Sequence, residues 1–508
     1  MTSATRRAGV LAALSLAALA ACSPGSGSSG KDDRPNIVLL ISDDQDWREL
    51  GFMGTASVRT PNLDRIARRG TVLAEAHLPM SRCRPTLASF LTGQWPHRSG
   101  QYYAYGPGRL RAEHPLPALL RDAGYATFVG GKWWEGNPED FGFTDGDDGG
   151  ANTFVRRDQD DALAFVDRHA GRRPMFLWWA PKIPHLPHDP PPELAAMFAE
   201  APVTVPPWIS ARDRSSYVEY ERMSWAMEAW LDRAVGELLD RFRDRGELDR
   251  TVFVFLIDNG WTNGLPSKGT PYENGVRTPV VFSGAGRIAP GRFLGGLTST
   301  LDLYPTLLEL AGVAVPDGAD GRSWLPFLRP AGPGDDRASR DDRASGDGGA
   351  SGDGGASGDG GASGSGDPES GEPDRLALDS LGGAIYPAFA GEGDPRPERD
   401  LYALYVREER WKYVIWLQDI KESENHDRIR IPVPAHDFPD RRAGTEELYD
   451  LETDPAERAN RAGDSEHADR VARMRRQALE WWKDTGGEPL DGVPGRTLRR
   501  KGLGAYSA

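Results

Sequence analysis

Two apolar runs constrain this chain more than any other feature. Ile37-Val38-Leu39-Leu40-Ile41 ends on Ser42-Asp43-Asp44, and Thr251-Val252-Phe253-Val254-Phe255-Leu256-Ile257 ends on Asp258-Asn259-Gly260. A run that is apolar at nearly every position has no wet face. It belongs to a strand covered on both sides, as in a parallel sheet. Further strands are predicted over 126–129, 175–180 and 280–282, and helices over 116–122, 161–169, 217–242 and 302–311. Another helix should follow Thr60, its N-cap, and open on Pro61. Helices alternating with apolar strands predict an α/β fold with a large, mostly parallel sheet flanked by helices. Ligands in such folds bind beyond the carboxyl ends of the strands, which is where both acidic pairs fall.

Composition divides the chain into segments. Arg6-Arg7, an apolar stretch from Val10 to Ala21 and then Cys22 read as an export signal, too short to span a membrane. Leu19-Ala20-Ala21-Cys22 resembles a bacterial lipobox, so 1–22 is read as signal peptide and lipobox. Residues 23–33 follow as a Ser/Gly-rich tether and 34–330 as the large α/β domain. Residues 331–373 repeat Ala-Ser-Gly-Asp-Gly-Gly and hold almost no apolar side chains, which marks a linker. Strands over 401–406, 411–417 and 447–451 and a helix over 466–482 predict a smaller C-terminal α+β subdomain within 374–500. The expected location is outside a bacterial cell membrane, lipid-anchored through Cys22 or else secreted or periplasmic. A formal net charge of −15 argues against a nucleic-acid surface.

The only other cysteine, Cys83, opens Cys83-Arg84-Pro85-Thr86-Leu87-Ala88-Ser89-Phe90-Leu91-Thr92-Gly93. Proline in a first turn and a closing glycine place Cys83 at or just before a helix N-terminus. There the dipole lowers a thiol's pKa, the mark of a reactive cysteine; a buried small residue is the other reading. Asp43, Asp44, Asp258 and Asn259 offer only oxygen donors, which suit a hard cation such as Ca²⁺ or Mg²⁺. Lys132, His185 and Lys268 fall on the same predicted edge and together would cradle a tetrahedral anion. Trp47, Trp95, Tyr102, Tyr103, Trp134 and Trp261 lie near these motifs, either to stack on a sugar or aryl ring or as core.

These residues resemble the sulfatases of the alkaline phosphatase superfamily. The likeness rests on Arg34-Pro35-Asn36-Ile37-Val38 through Asp43-Asp44, Cys83-Arg84-Pro85-Thr86, Gly131-Lys132-Trp133 and Pro184-His185-Leu186-Pro187. Asp258-Asn259-Gly260, Lys268-Gly269-Thr270-Pro271-Tyr272-Glu273, Gly275-Val276-Arg277-Thr278-Pro279 and Glu447-Leu448-Tyr449-Asp450-Leu451 extend it in family order. The resemblance implies an alkaline phosphatase-like fold and hydrolysis of a sulfate ester on a small molecule or glycan. It implies that a formylglycine-generating enzyme converts Cys83 to formylglycine, whose hydrate supplies an oxygen nucleophile. Asp43, Asp44, Asp258 and Asn259, with the residue at Cys83, would hold calcium or magnesium, while Lys132, His185 and Lys268 would contact sulfate or the hydrate. Two positions depart from the family pattern: Leu87 stands where Cys-x-Pro-Ser-Arg has arginine, and Trp134 where Gly-Lys-Trp-His has histidine. The alternatives are a phosphoesterase or phosphonate hydrolase of the same superfamily, or a weakened protein that only binds sulfated glycans.

Overall fold

The computed structural model describes residues 33–102, 110–147, 152–330, 384–389, 401–419, 441–487 and 490. The expected leader, nearly all of the tether and the whole linker lie outside the described residues. In chain order the strands of the large sheet are β1 (Asn36–Ser42), β2 (Gly70–His77), β3 (Ala126–Gly131) and β4 (Asp145–Gly146). They continue as β5 (Met175–Ala180), β6 (Thr251–Ile257), β7 (Arg277–Gly284) and β8 (Arg292–Ser299). Their order is β4-β3-β5-β1-β6-β7-β2-β8. The five strands from β4 to β6 are mutually parallel, β7 is antiparallel to β6 and β2, and β2 is parallel to β8. The sheet is therefore mostly parallel, as expected.

The two organising runs are its central pair. Alternate side chains leave opposite faces of a strand, and here both faces are dry. Val38 and Leu40 of β1 join Phe253 and Phe255 of β6 under Leu231, Val235 and Leu238 of the helix Arg214–Asp244. Ile37, Leu39 and Ile41 join Val252, Val254 and Leu256 on the other face, beneath Phe90, Leu91, Leu303 and Leu307. Register pairs Ser42 with Ile257, so Asp43 and Asp258 emerge side by side, and Asp258 N–H donates to the Ser42 carbonyl at 2.9 Å.

The first helix, α1 (Pro61–Arg68), follows Thr60, but Thr60 does not cap it. Its hydroxyl accepts from Gly51 N–H at 2.9 Å and faces Asp64. The free N–H groups of Asn62 and Leu63 go instead to the carboxylate of Asp232, on the long helix, at 3.0 and 2.8 Å. Such donors must find a partner somewhere, and a tertiary one displaces the local one.

A second sheet is antiparallel, in the order β12-β11-β10-β9. It comprises β9 (Ala384–Phe389), which the sequence did not foretell, β10 (Leu401–Arg407), β11 (Trp411–Trp416) and β12 (Glu446–Asp450). The helix Ala468–Asp484 lays Val471, Met474, Ala478 and Trp482 against Leu404, Val406 and Tyr413. Buried Lys412 joins this sheet to the first through Glu273 at 3.0 Å, and Tyr402 O–H donates to the Gly269 carbonyl.

Candidate active site

Four adjacent parallel strands deliver the site. Asp43 and Asp44 follow β1, Lys132 follows β3, His185 lies just beyond β5, and Asp258 and Asn259 follow β6. Cys83 is the first residue of α2 (Cys83–Thr92), which is closed by Gly93 in the left-handed region. Lys268 stands before Gly269, whose φ of +78° suits glycine; an added Cβ there would lie 2.8 Å from the Arg82 guanidinium. Gly131, at φ +91°, turns β3 into Lys132 where a Cβ would meet the Ala180 carbonyl at 2.0 Å.

All eight residues singled out for chemistry converge. Lys132 is ion-paired to Asp43 and lies 3.0 Å from Asp258 Oδ2. Asp44, at φ +55°, accepts from Asn259 Nδ2 and Lys268 Nζ, each at 2.6 Å, and its Oδ2 faces His185 Nε2 at 3.3 Å. Ligand atoms of Asp43, Asp44 and Cys83 lie within 4.8 Å of one another, close enough for one metal ion.

Charge is balanced inside the cluster. Burial would lower the ammonium of Lys132, but Asp258 and Asp43 outweigh it and hold it charged. Lys268 is held the same way, chiefly by Asp44. Burial pushes the Asp43 and Asp258 carboxyls above their ordinary range against the pull of Lys132. Asp44 is buried too, yet Lys268, His185 and Lys132 together hold it well below that range. Burial takes the His185 imidazole down to about 4, although Asp44 opposes it.

The donor set fits a hard cation. Asp43 Oδ2 and Asn259 Oδ1 are buried with no hydrogen-bond partner, while Asp43 Oδ1 meets the Lys132 ammonium. Buried acceptors left without donors are costly. A cation bound by oxygens would satisfy them.

Cys83 does start a helix, as its spacing predicts, but its thiol is not activated. Burial pushes its pKa up to about 11, over the opposing pull of Lys132 and Lys268. The dipole of one short helix is worth at most about 2 kcal/mol, and burial of the thiolate among carboxylates overrides it. Thiolate chemistry is thereby disfavoured at the centre of the site.

The partners of two supporting arginines escaped the motif reading. Arg156 Nη2 donates to the carbonyls of Lys182, His185 and Pro187 at 3.0, 2.9 and 3.2 Å, stapling the loop that carries His185. Arg84 pairs with Glu135 through Nε at 2.7 Å and with the Trp134 carbonyl through Nη2 at 3.0 Å. Neither partner is close in sequence, so only the fold shows them.

A family profile described as Sulfatase matches residues 35–313. The chain belongs to the sulfatase family. It is 31% identical over 375 residues to the N-acetylgalactosamine-6-sulfatase of Canis lupus familiaris, over 60% of this chain and 68% of that protein. It is likewise 31% identical over 357 residues to the arylsulfatase A of Homo sapiens, over 58% of this chain and 68% of that protein. Among solved structures, a protein in complex with its substrate D-glucosamine-2-N,6-O-disulfate superposes with a TM-score of 0.65. That match has 18% identity and covers 90% of this chain and all of that one. The likeness shows the shared fold. As a sulfatase the protein hydrolyses sulfate esters, and the two departures from the family pattern can be located. Leu87 is 6% exposed in the apolar cluster with Phe90, Leu91 and Leu303. Trp134 is 39% exposed beside Lys132.

Proposed function

We propose that this sulfatase works with Cys83 converted to formylglycine and with one divalent cation, calcium by family likeness, held by Asp43, Asp44, Asp258, Asn259 and the residue at position 83. The observation that carries this reading is the pair of buried, partnerless oxygens, Asp43 Oδ2 and Asn259 Oδ1, beside a cysteine whose thiol is disfavoured as thiolate. When present, the hydrated aldehyde supplies an oxygen nucleophile and the ion supplies positive charge for the sulfuryl oxygens.

The chain's own residues do the rest. Lys132 and Lys268 stay protonated, so both offer N–H donors to a sulfate group and neutralise its charge from largely buried positions. Their carboxylate partners fix the ammonium positions before substrate arrives, so little reorganisation is needed at reaction. His185 Nδ1 lies 2.6 Å from the Leu186 carbonyl, which holds the proton of the neutral imidazole on that nitrogen and leaves Nε2, on the Asp44 side, able to accept one. A formylglycine-generating enzyme would be the maturation partner. Export with lipidation at Cys22 would place the enzyme outside the cell membrane, facing sulfated small molecules or glycans.

Turnover decides the reading. Natively matured protein should hydrolyse an aryl sulfate far faster than the matching phosphate mono- and diesters, and Cys83→Ala should abolish turnover. Faster phosphodiester or phosphonate turnover would move the protein to the related hydrolases. Full activity with alanine at position 83 would remove the proposed nucleophile.

A further inference from the structure

Of the aromatic residues flagged near the motifs, Trp134 alone among the described residues is exposed. Tyr102 is 2% exposed, and Trp47 is half-buried with the Arg277 guanidinium 3.7 Å from its ring centroid. Trp95 packs edge-on against Trp481 at 4.9 Å, and Trp261 lies in the small cluster around Ile209 and Tyr217. A lone exposed tryptophan usually needs no explanation. Two features set this one apart.

The first is position. Lys132 Nζ lies 5.2 Å from the centroid of the Trp134 ring, and the same ammonium contacts Asp43 and Asp258. The indole thus borders the reacting centre, one side chain from the group that would hold sulfate. The second is rigidity. Arg84, in the first turn of α2 next to Cys83, grips Glu135 with Nε at 2.7 Å and Nη2 at 3.2 Å. Its Nη2 also takes the Trp134 carbonyl at 3.0 Å. Arg84 and Glu135 side chains are each only 7% exposed. A buried two-pronged arginine–carboxylate pair fixes direction as well as distance. The element that positions Cys83 therefore also positions Trp134. An exposed aromatic side chain whose backbone is held in place has paid part of its ordering entropy before a ligand arrives.

We propose that Trp134 is a substrate-contacting platform that stacks on a ring directly bearing the sulfate ester, a pyranose or an arene, and that Arg84 is the positioning residue for it. This rests on the sulfatase reading of the site and adds the class of alcohol the site selects. A ring presents a flat or C–H-lined face that an indole can cover. A short linear alkyl sulfate offers the same anion and no such face.

Binding separates this from turnover. In full-length Cys83→Ala protein, dissociation constants are measured by calorimetry for 4-nitrophenyl sulfate, glucose 3-sulfate, ethyl sulfate and inorganic sulfate. The same ligands are titrated with Trp134→Ala, Trp134→Phe or Arg84→Met added. With alanine at 134, at least one ring-borne ester should bind about ten-fold more weakly, while ethyl sulfate and inorganic sulfate stay within about two-fold. Phenylalanine should retain most of the ring preference. Arg84→Met should weaken the ring ester and spare inorganic sulfate, a selectivity that general loosening of the fold would not give. The arene and pyranose arms tell which ring is preferred. Equal weakening of all four ligands, or no change for either ring ester, overturns the proposal. Turnover by the parent enzyme is scored separately: hydrolysis without ring selectivity sinks the platform alone, and ring-selective binding without hydrolysis sinks the catalytic reading alone.

Discussion

Replacing Lys132 by methionine is the sharpest perturbation of the charge balance at the site. The two side chains have similar volume, so packing is nearly conserved and the change is mainly electrostatic. Lys132 is 1% exposed and its two carboxylate partners, Asp43 and Asp258, are 1% and 0% exposed. Removing one member of a buried ion pair typically costs about 3–5 kcal/mol, because the partner charge is left behind. Here two carboxylates lose the same cation, so the upper half of that range is expected in the presence of EDTA. A bound divalent ion would supply the missing positive charge, and binding that favours the folded state adds to stability. The loss should therefore shrink in millimolar calcium by more than about 1.4 kcal/mol, a ten-fold tightening of the metal. Urea unfolding followed by tryptophan fluorescence, with EDTA or calcium chloride, reads both values. The variant should also lose sulfate-ester turnover under either condition. If Lys132→Met is no more calcium-dependent than the parent, the carboxylates around it do not form the cation site and the reasoning fails.

Other consequences reach beyond the site. Glu228 is wholly buried on the long helix, and its carboxyl is pushed well above the ordinary 4.5 by burial and then by Glu49. A carboxyl raised on folding favours the native state below its unfolded value and loses that benefit as pH climbs through its folded value. Glu228→Gln, neutral throughout, should therefore gain stability over the parent as pH rises from 4.5 to 8, by about 1 kcal/mol or more; a constant difference in melting temperature across that range would contradict this. Asp232→Ala leaves two N–H groups of α1 without their acceptor and should destabilise by about 1–3 kcal/mol in denaturant unfolding; a loss under about 0.5 kcal/mol would return the capping role to Thr60. Arg156→Met frees three carbonyls of the His185 loop and should lower kcat at least ten-fold with a small change in KM; an unchanged kcat would show that the loop holds itself.

Much of the site was legible because its residues sit at strand ends, and the strands announce themselves. The runs at 37–41 and 251–257 are apolar throughout, so their direction, burial and terminal carboxylates could be read together. β2 and β8 escaped because their sequences, Gly-Thr-Val-Leu-Ala-Glu-Ala-His and Arg-Phe-Leu-Gly-Gly-Leu-Thr-Ser, mix glycine and polar residues with apolar ones. They become strands because β2 pairs with β7 and β8 with β2, and local pattern does not encode that pairing. Thr60 looked like a cap, but the acceptor that took its place stands 170 residues from Asn62, whose N–H it takes. The state of the Cys83 thiol stayed open in the sequence for a related reason. A helix start is visible in sequence, whereas the burial that pushes the thiol up to about 11 comes from loops gathered off several strands. Arg84 illustrates both sides. Its place beside Cys83 was evident, while its commitment to Glu135, 51 residues on, required the fold.

Maturation of Cys83 is the claim on which the account turns, and mass analysis of the proteolytic peptide that carries it tests that claim most directly. Protein expressed with a formylglycine-generating enzyme should show the aldehyde mass at position 83, in proportion to its sulfatase activity. Protein expressed without that enzyme should show cysteine and little turnover. Full activity from protein whose position 83 is entirely unmodified cysteine would contradict the account.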